Sequence, residues 1–242
     1  MTSLSNAISR VIHAQSDADK PLGIILAGHN GSGKSTMWRQ HLSPYLQIPL
    51  INADRMMLSI LPEPEGAFLP DWAAKIRDSD ESWMHVAQKG VESIGAHAMA
   101  QGVPFAIETV FSYWHKNEDG SVSSKIDSIR QMQSAGYFVL LCFVGLTSFV
   151  LSVARVETRV AAGGHDVARE KLEARFSRTQ NAIKLAASVA DATILVDNSF
   201  GEELAFSVCR IQLRDEEVFD VRQDGEVSGP IREWLDVVSP RS

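Results

Sequence analysis

Cysteine is nearly absent: two residues in 242, Cys142 and Cys209. Each sits among apolar neighbours, in LLCFV and SVCRI, with no CxxC spacing, so neither a disulfide framework nor a thiol-ligated metal is expected, and both read as buried, reduced thiols. Long apolar runs are missing as well. The longest, Tyr137 to Leu146, supplies about half of the ~20 residues a membrane-spanning helix needs. MTSLSNAISRVIHAQ lacks the apolar core of a secretory leader and reads as an amphipathic helix, Ser3 to Gln15, packed internally. Positive charge is also short, with 23 Lys and Arg against 30 Asp and Glu and a formal net charge of -7. That sign repels polyanions, which argues against nonspecific nucleic-acid or anionic-membrane binding and leaves room for a local basic site for one small anion. A cytoplasmic protein is expected. There is no internal repeat and no linker.

What is present is an ordinary globular composition, 45% apolar and 22% charged, over a length that buries one sizeable core. A single α/β domain over residues 1–242 is expected. Short apolar runs alternate with stretches of helical periodicity, the mark of βα units around a parallel sheet. Strands are expected at Leu22 to Ala27, Ile48 to Asn52, Val103 to Glu108, Tyr137 to Gly145 and Ala192 to Asp197. Helices are expected at Lys34 to Leu46, Ser79 to Gln101, Ser123 to Ala135, Ser148 to Ala162 and Val167 to Ala190, the last two separated by Gly163-Gly164. LPEPEGAFLP reads as a surface loop, and Asn117 to Ser124 as another. Arg210 to Val221 alternates like a strand, and the turn signal Asp224-Gly225 leads into Glu226 to Ile231, predicting a C-terminal β-hairpin at the sheet's margin.

The stretch LGIILAGHNGSGKST, residues 22 to 36, is a P-loop in its proper context: an apolar strand, the full glycine spacing, then a helix. The glycines let successive N–H groups turn inward at phosphates, aided by the positive end of the helix. Gly28, His29, Asn30, Gly31, Ser32, Gly33, Lys34, Ser35 and Thr36 form the expected ATP-binding set. Lys34 reaches the β/γ-phosphates and Ser35 supplies a hydroxyl to Mg²⁺. The fold class that follows is α/β, a P-loop fold with a parallel sheet of five or more strands flanked by helices, which by itself fits a motor, a switch or a kinase fold equally.

Strands of such a sheet present their carboxyl ends to the ligand, so Asp54 after the second strand and Glu108 ending the third face the P-loop. A carboxylate at either place could orient Mg²⁺ or take the proton of an attacking hydroxyl. On pattern alone a helix N-cap for Asp54, and an ordinary strand end for Glu108, stand as alternatives of similar weight. Arg155 and Arg159 are four apart and Arg175 and Arg178 three apart, each pair on one helix face. Two such stripes meeting at Gly163-Gly164-His165 could clamp a γ-phosphate, although a solvated charged face paired with Glu157, Glu170 and Glu173 is the commoner use. Tyr113 and Trp114 lie near the expected acceptor pocket. Ile194-Leu195-Val196-Asp197 comes nearest to the acidic strand of a hydrolysing ATPase, but Asn198-Ser199 follow it, which favours a small-molecule kinase over a motor or switch.

In order along the chain, GHNGSGKST, INAD, FAIET, LLCFVGL, RVETRVAAGGHDV, EKLEARFSRTQNA and DATILVDNS resemble the zeta toxin family of P-loop kinases. The resemblance covers roughly residues 20 to 200 and leaves 201 to 242 as an extension. It implies phosphorylation of UDP-N-acetylglucosamine with ATP and Mg²⁺ on Lys34 and Ser35. Asp54 is then the general base for the sugar 3′-hydroxyl, Glu108 and Thr109 position the sugar nucleotide, and Arg159, Arg175 and Arg178 belong to the part that binds and stabilises the transferred phosphate. Asp197 to Ser199 match the stretch near the nucleotide base. An antitoxin is the partner implied. Two departures fall on the acceptor side: Val110 where many members have a second Thr, and Arg55 where an acidic residue is common. Another small hydroxyl acceptor, or a nucleotide-binding module without transfer, are the alternatives.

Overall fold

The computed structural model describes residues 2–63, 69–78, 80–120, 122–161, 167–223, 225 and 227–241. Its centre is a seven-stranded sheet in the order β2-β3-β1-β6-β7-β8-β9. The five parallel members are β1 (Leu22–Gly28), β2 (Leu50–Ile51), β3 (Phe105–Thr109), β6 (Phe138–Gly145) and β7 (Ala192–Asp197). β8 (Ser207–Leu213) and β9 (Glu216–Asp220) are added antiparallel at the margin. All seven residues of β1 and all eight of β6 are buried, which explains why both read as unbroken apolar runs rather than as alternating ones.

Alternation survives in which face each residue serves. Ile24, Leu26, Leu140, Cys142, Ile194 and Val196 point into one core, with α1 (Leu4–Asp17) and the helix after the P-loop packed over them. Ile25, Ala27, Val139, Leu141, Phe143 and Leu195 point into the other. That second core is covered by α7 (Ile126–Ser134), α9 (Arg169–Ala187) and α10 (Gly229–Val238). α1 starts at Ser3, whose hydroxyl accepts the Asn6 N–H at 3.2 Å, and buries Leu4, Ala7, Ile8 and Val11, as the amphipathic pattern of the terminus predicts.

The helix after the P-loop runs in three pieces: α2 (Lys34–Met37), a π-turn (Trp38–Leu42) and α3 (Ser43–Leu46). Pro44 has no N–H to give to Gln40 and its ring would strike that carbonyl, so the wider turn accommodates it without a break. α6 (Glu81–Gln101) and α8 (Phe149–Ala161) lie where helical periodicity places them, and α4 (Ala53–Ser59) follows the second strand, where a helix start stood only as the alternative reading of Asp54.

Several boundaries differ from the sequence reading. α5 (Asp71–Asp78) was not expected. The polar segment around residues 117–124 is the tip and second strand of a small hairpin, β4 (Trp114–Lys116) and β5 (Val122–Ser124). The C-terminal hairpin exists, but it turns at Arg214-Asp215, where Arg214 adopts φ +51°, rather than at Asp224-Gly225. Instead of continuing the hairpin, the chain enters α10 at Gly229-Pro230, because Trp234, Leu235 and Val238 recur at helical spacing and are buried. The Pro-rich loop falls partly, at residues 64–68, outside the described residues.

Candidate active site

The P-loop leaves β1 at Gly28 and enters α2 at Gly33, whose φ of +90° only glycine adopts without strain. A methyl at Gly33 would also lie 2.7 Å from the Asn198 amide, so backbone and side chain close the loop together. Asn198 donates from Nδ2 to the Ser32 carbonyl at 2.9 Å, and Ser152 of α8 donates to the Asn30 carbonyl at 2.7 Å. The loop is therefore held from both flanks, by Asn198 of the Asp-Asn-Ser stretch and by Ser152, which no local pattern announces. Asp197, buried and with its carboxyl pushed up by that burial, accepts from the Ser199 hydroxyl at 2.6 Å; Ser199 in turn accepts the Thr147 N–H at 2.8 Å. The Asp-Asn-Ser stretch thus braces the loop and the start of α8.

Lys34 donates to the Gly28 and His29 carbonyls at 3.1 and 3.0 Å. Its pKa is lowered, first by burial and also by the positive charge of Arg159, against the opposing pull of Glu108 and Asp54. Those four charged groups therefore bear on one point. Ser35 donates to Glu108 Oε1 at 2.8 Å, bringing the expected cation ligand and the third-strand carboxylate into direct contact. Among the described residues five buried side-chain polar atoms lack a hydrogen-bond partner, and three of them, His29 Nε2, Ser32 Oγ and Glu108 Oε2, lie here. Native proteins rarely leave such groups unmatched, so Ser32 Oγ and Glu108 Oε2 mark a place where a ligand completes the bonding, while the His29 ring is turned toward Phe176. Glu108 Oε2 beside Ser35 Oγ is an oxygen pair suited to Mg²⁺, which needs only one or two protein oxygens when phosphates supply others. No cluster of three or more His, Cys, Asp or Glu occurs among the described residues.

Asp54 is exposed in the first turn of α4, and the cap of that helix is Asn52, whose Oδ1 accepts the Arg55 N–H at 3.0 Å. The capping alternative for Asp54 is thereby removed, and its carboxylate is left for other work. Thr109 accepts the Phe111 N–H at 3.2 Å, holding the chain through the buried Phe111 at φ +64°. Thr179 of α9 donates to the Val110 carbonyl at 3.1 Å, so the arginine-bearing helix is tied to the loop that follows Glu108.

The arginines differ in placement. Arg155 lies against Gly31 of the loop, and its charge is felt by Asp197. Arg159 is exposed and acts on Lys34. Arg175 is half-buried in a narrow cleft with His29, Asn30, Phe176 and Thr179. Arg178 is exposed and bonds back to the Ala174 carbonyl of its own helix at 2.8 Å. Gly163, Gly164 and His165 lie outside the described residues. Tyr113 and Trp114 are exposed beyond the Phe111 turn.

His29 was expected only as a member of the loop. Its ring is buried, stacked on Phe176 at 4.0 Å and 15°, and set edge-on to Phe143 at 5.3 Å. Burial, with the charge of Lys34 adding to it, lowers its pKa to about 3.

Comparison with known proteins bears on the family and the fold. The sequence model described as Zeta toxin matches residues 6–200. An uncharacterised protein of Haemophilus influenzae is 26% identical over 155 residues, 63% of this chain and 91% of that one. The fold is similar to that of a protein of the PezAT chromosomal toxin-antitoxin system of Streptococcus pneumoniae, with TM-score 0.55, 14% identity, and 98% and 95% of the two chains covered. It is likewise similar to the AvrRxo1-ORF1:-ORF2 complex with ATP, with TM-score 0.61, 14% identity, and 98% and 70% covered. Among the described residues no helix is long and apolar enough to cross a membrane.

Proposed function

The chain belongs to the zeta toxin family, and on that premise we propose that it is a kinase that moves the γ-phosphoryl of ATP to a sugar-nucleotide hydroxyl, the 3′-hydroxyl of UDP-N-acetylglucosamine. The observation that carries this reading is the convergence at Lys34. The lysine of the donor loop lies within the fields of Asp54, Glu108 and Arg159, while Ser35 is bonded to Glu108. A chain that only held nucleotide would need the loop and not the base Asp54. The ATP-containing complex of similar fold supports the choice of donor.

In this reading the loop N–H groups cradle the phosphates, and Lys34 exchanges the Gly28 and His29 carbonyls for β/γ-phosphate oxygens. Ser35 and Glu108 would hold Mg²⁺, which when bound neutralises charge on the β- and γ-phosphates. Asp54 accepts the proton of the acceptor hydroxyl as its oxygen forms the new bond to γ-phosphorus. The bond from γ-phosphorus to the bridging oxygen breaks, and ADP departs with the electron pair. Arg159, Arg175 and Arg178 meet the charge spread over the equatorial oxygens. Glu108 and Thr109 also border the acceptor, whose phosphorylation would withhold it from cell-wall synthesis. An antitoxin covering the ATP site is the regulatory partner this reading implies, in keeping with the toxin-antitoxin system of similar fold.

The test separates binding from transfer. Lys34→Ala should lose binding of a fluorescent ATP analogue, whereas Asp54→Ala should retain it and lose transfer by roughly 10²-fold or more. Undiminished transfer by Asp54→Ala would remove Asp54 from the role of base.

A further inference from the structure

We propose that His29 is a positioning residue that sets helix α9 and its arginines against the phosphate loop, through the stack of its imidazole on Phe176. The inference rests on the kinase reading above. A P-loop serves phosphates through main-chain N–H groups, so the side chain at this loop position is open to another task. Here it is turned into the packing between β6 and α9, face-to-face with Phe176 and edge-on to Phe143, while Phe149 of α8 meets Phe176 from another side at 6.0 Å. Nδ1 accepts the Leu146 N–H at 3.2 Å, which leaves the ring's proton on Nε2, buried, where it interacts with the main chain of Phe176 without forming a well-aligned hydrogen bond. Leucine would fill this space without polar atoms, so the imidazole brings contacts to Leu146 and to the Phe176 main chain that simple packing does not require.

What the ring reaches explains its presence. Arg175 directly precedes Phe176 and lines the same cleft, with neither a hydrogen bond nor an ion pair among the described residues. One turn beyond, Thr179 fixes α9 to the Val110 carbonyl. The helix is thus pinned at two points, on the phosphate loop by Phe176 and beside the Glu108 strand by Thr179, with Arg175 and Arg178 spaced about these pins. The main chain of His29 accepts from Lys34, so one residue touches the loop lysine with its carbonyl and the arginine helix with its ring. Misplacing charged groups by about 1 Å can cost about 10²-fold in rate without disturbing ground-state binding. Loss of the stack should therefore lower kcat and spare ATP affinity.

The experiment compares wild type, His29→Leu, Phe176→Leu and the double variant in ATP-analogue binding and in steady-state transfer. Each single variant should lose about tenfold or more in kcat with Kd changed less than about threefold. The double should be no worse than the poorer single, because both remove one contact. His29→Phe, which retains an aromatic face, should recover most of the rate. Single losses that multiply in the double, an equal loss in ATP binding, or a His29→Leu enzyme at the wild-type rate would overturn the proposal. If wild type phosphorylates no acceptor, the kinase reading fails by itself, and the stack is judged by proton NMR. Upfield-shifted His29 ring protons that relax in Phe176→Leu support it, and unchanged shifts refute it.

Discussion

Lowering the pH from about 7.5 to about 5.5 should destabilise the folded state by about 1.4 kcal/mol through His29 alone. The imidazole titrates near pH 3 in the fold, because burial removes the water that would solvate its cation and Lys34 adds repulsion. In the unfolded chain it titrates at its ordinary value near 6.5. Between those values the unfolded state binds a proton that the native state refuses, so stability is full above the unfolded value and is lost as pH falls. Because the native value lies far below the window, the size of the loss is set by the unfolded value and is insensitive to how low the native one is. Urea unfolding of wild type and of His29→Phe at both pH values isolates this contribution, since the other histidines and the carboxylates are common to the two proteins. The wild-type loss should exceed that of the variant by about 1.4 kcal/mol. Equal losses would mean that the ring is solvated or charged in the native state, and the buried stack on Phe176 would then be wrong.

Two further outcomes follow from the core. Asp220 accepts from Arg222 Nε and Nη2 at 3.0 and 2.6 Å, and Arg222 also donates to Asp236 of α10 and to the Ser239 carbonyl, with its side chain 1% exposed. Asp220→Ala removes the bidentate partner and leaves the guanidinium Asp236 and the Ser239 carbonyl, so it should destabilise by roughly 1.5–3 kcal/mol in urea unfolding, whereas a change under about 1 kcal/mol would mean the pair is solvated. The Cys142 and Cys209 thiols are pushed up to about 12 by burial, so neither should react with a disulfide reagent near pH 8 until denaturant is added, and prompt labelling of either would contradict its place in the core.

The parallel strands and the P-loop were legible because each is a local pattern: an apolar run of strand length, then glycines whose spacing serves phosphates. The N-terminal helix was legible for the same reason, through its apolar face. What escaped depends on partners distant in sequence. Asn198 closes on Ser32, Ser152 on Asn30, and Phe176 on His29, contacts that exist only once β7, α8 and α9 have been laid around the loop. Trp234 packs on Phe143 and lies so close over Gly145 that a methyl there would run into its indole, which assigns the C-terminal helix to the end of β6. The hairpin turn was misplaced because Asp224-Gly225 is a stronger local signal than Arg214-Asp215, while strand pairing with β7 fixed the register instead. A capping role for Asp54 was open on the sequence until Asn52, two residues earlier, was seen to hold the cap.

The central claim is that the groups gathered about Lys34 transfer phosphate to a hydroxyl. It is tested most directly by incubating the purified protein with ATP, Mg²⁺ and UDP-N-acetylglucosamine and identifying products by mass spectrometry and phosphorus NMR. The account predicts ADP together with a sugar nucleotide carrying one added phosphate on its 3′-oxygen, formed in equal amounts and absent with Asp54→Ala. ADP released with inorganic phosphate and no phosphorylated acceptor would contradict it.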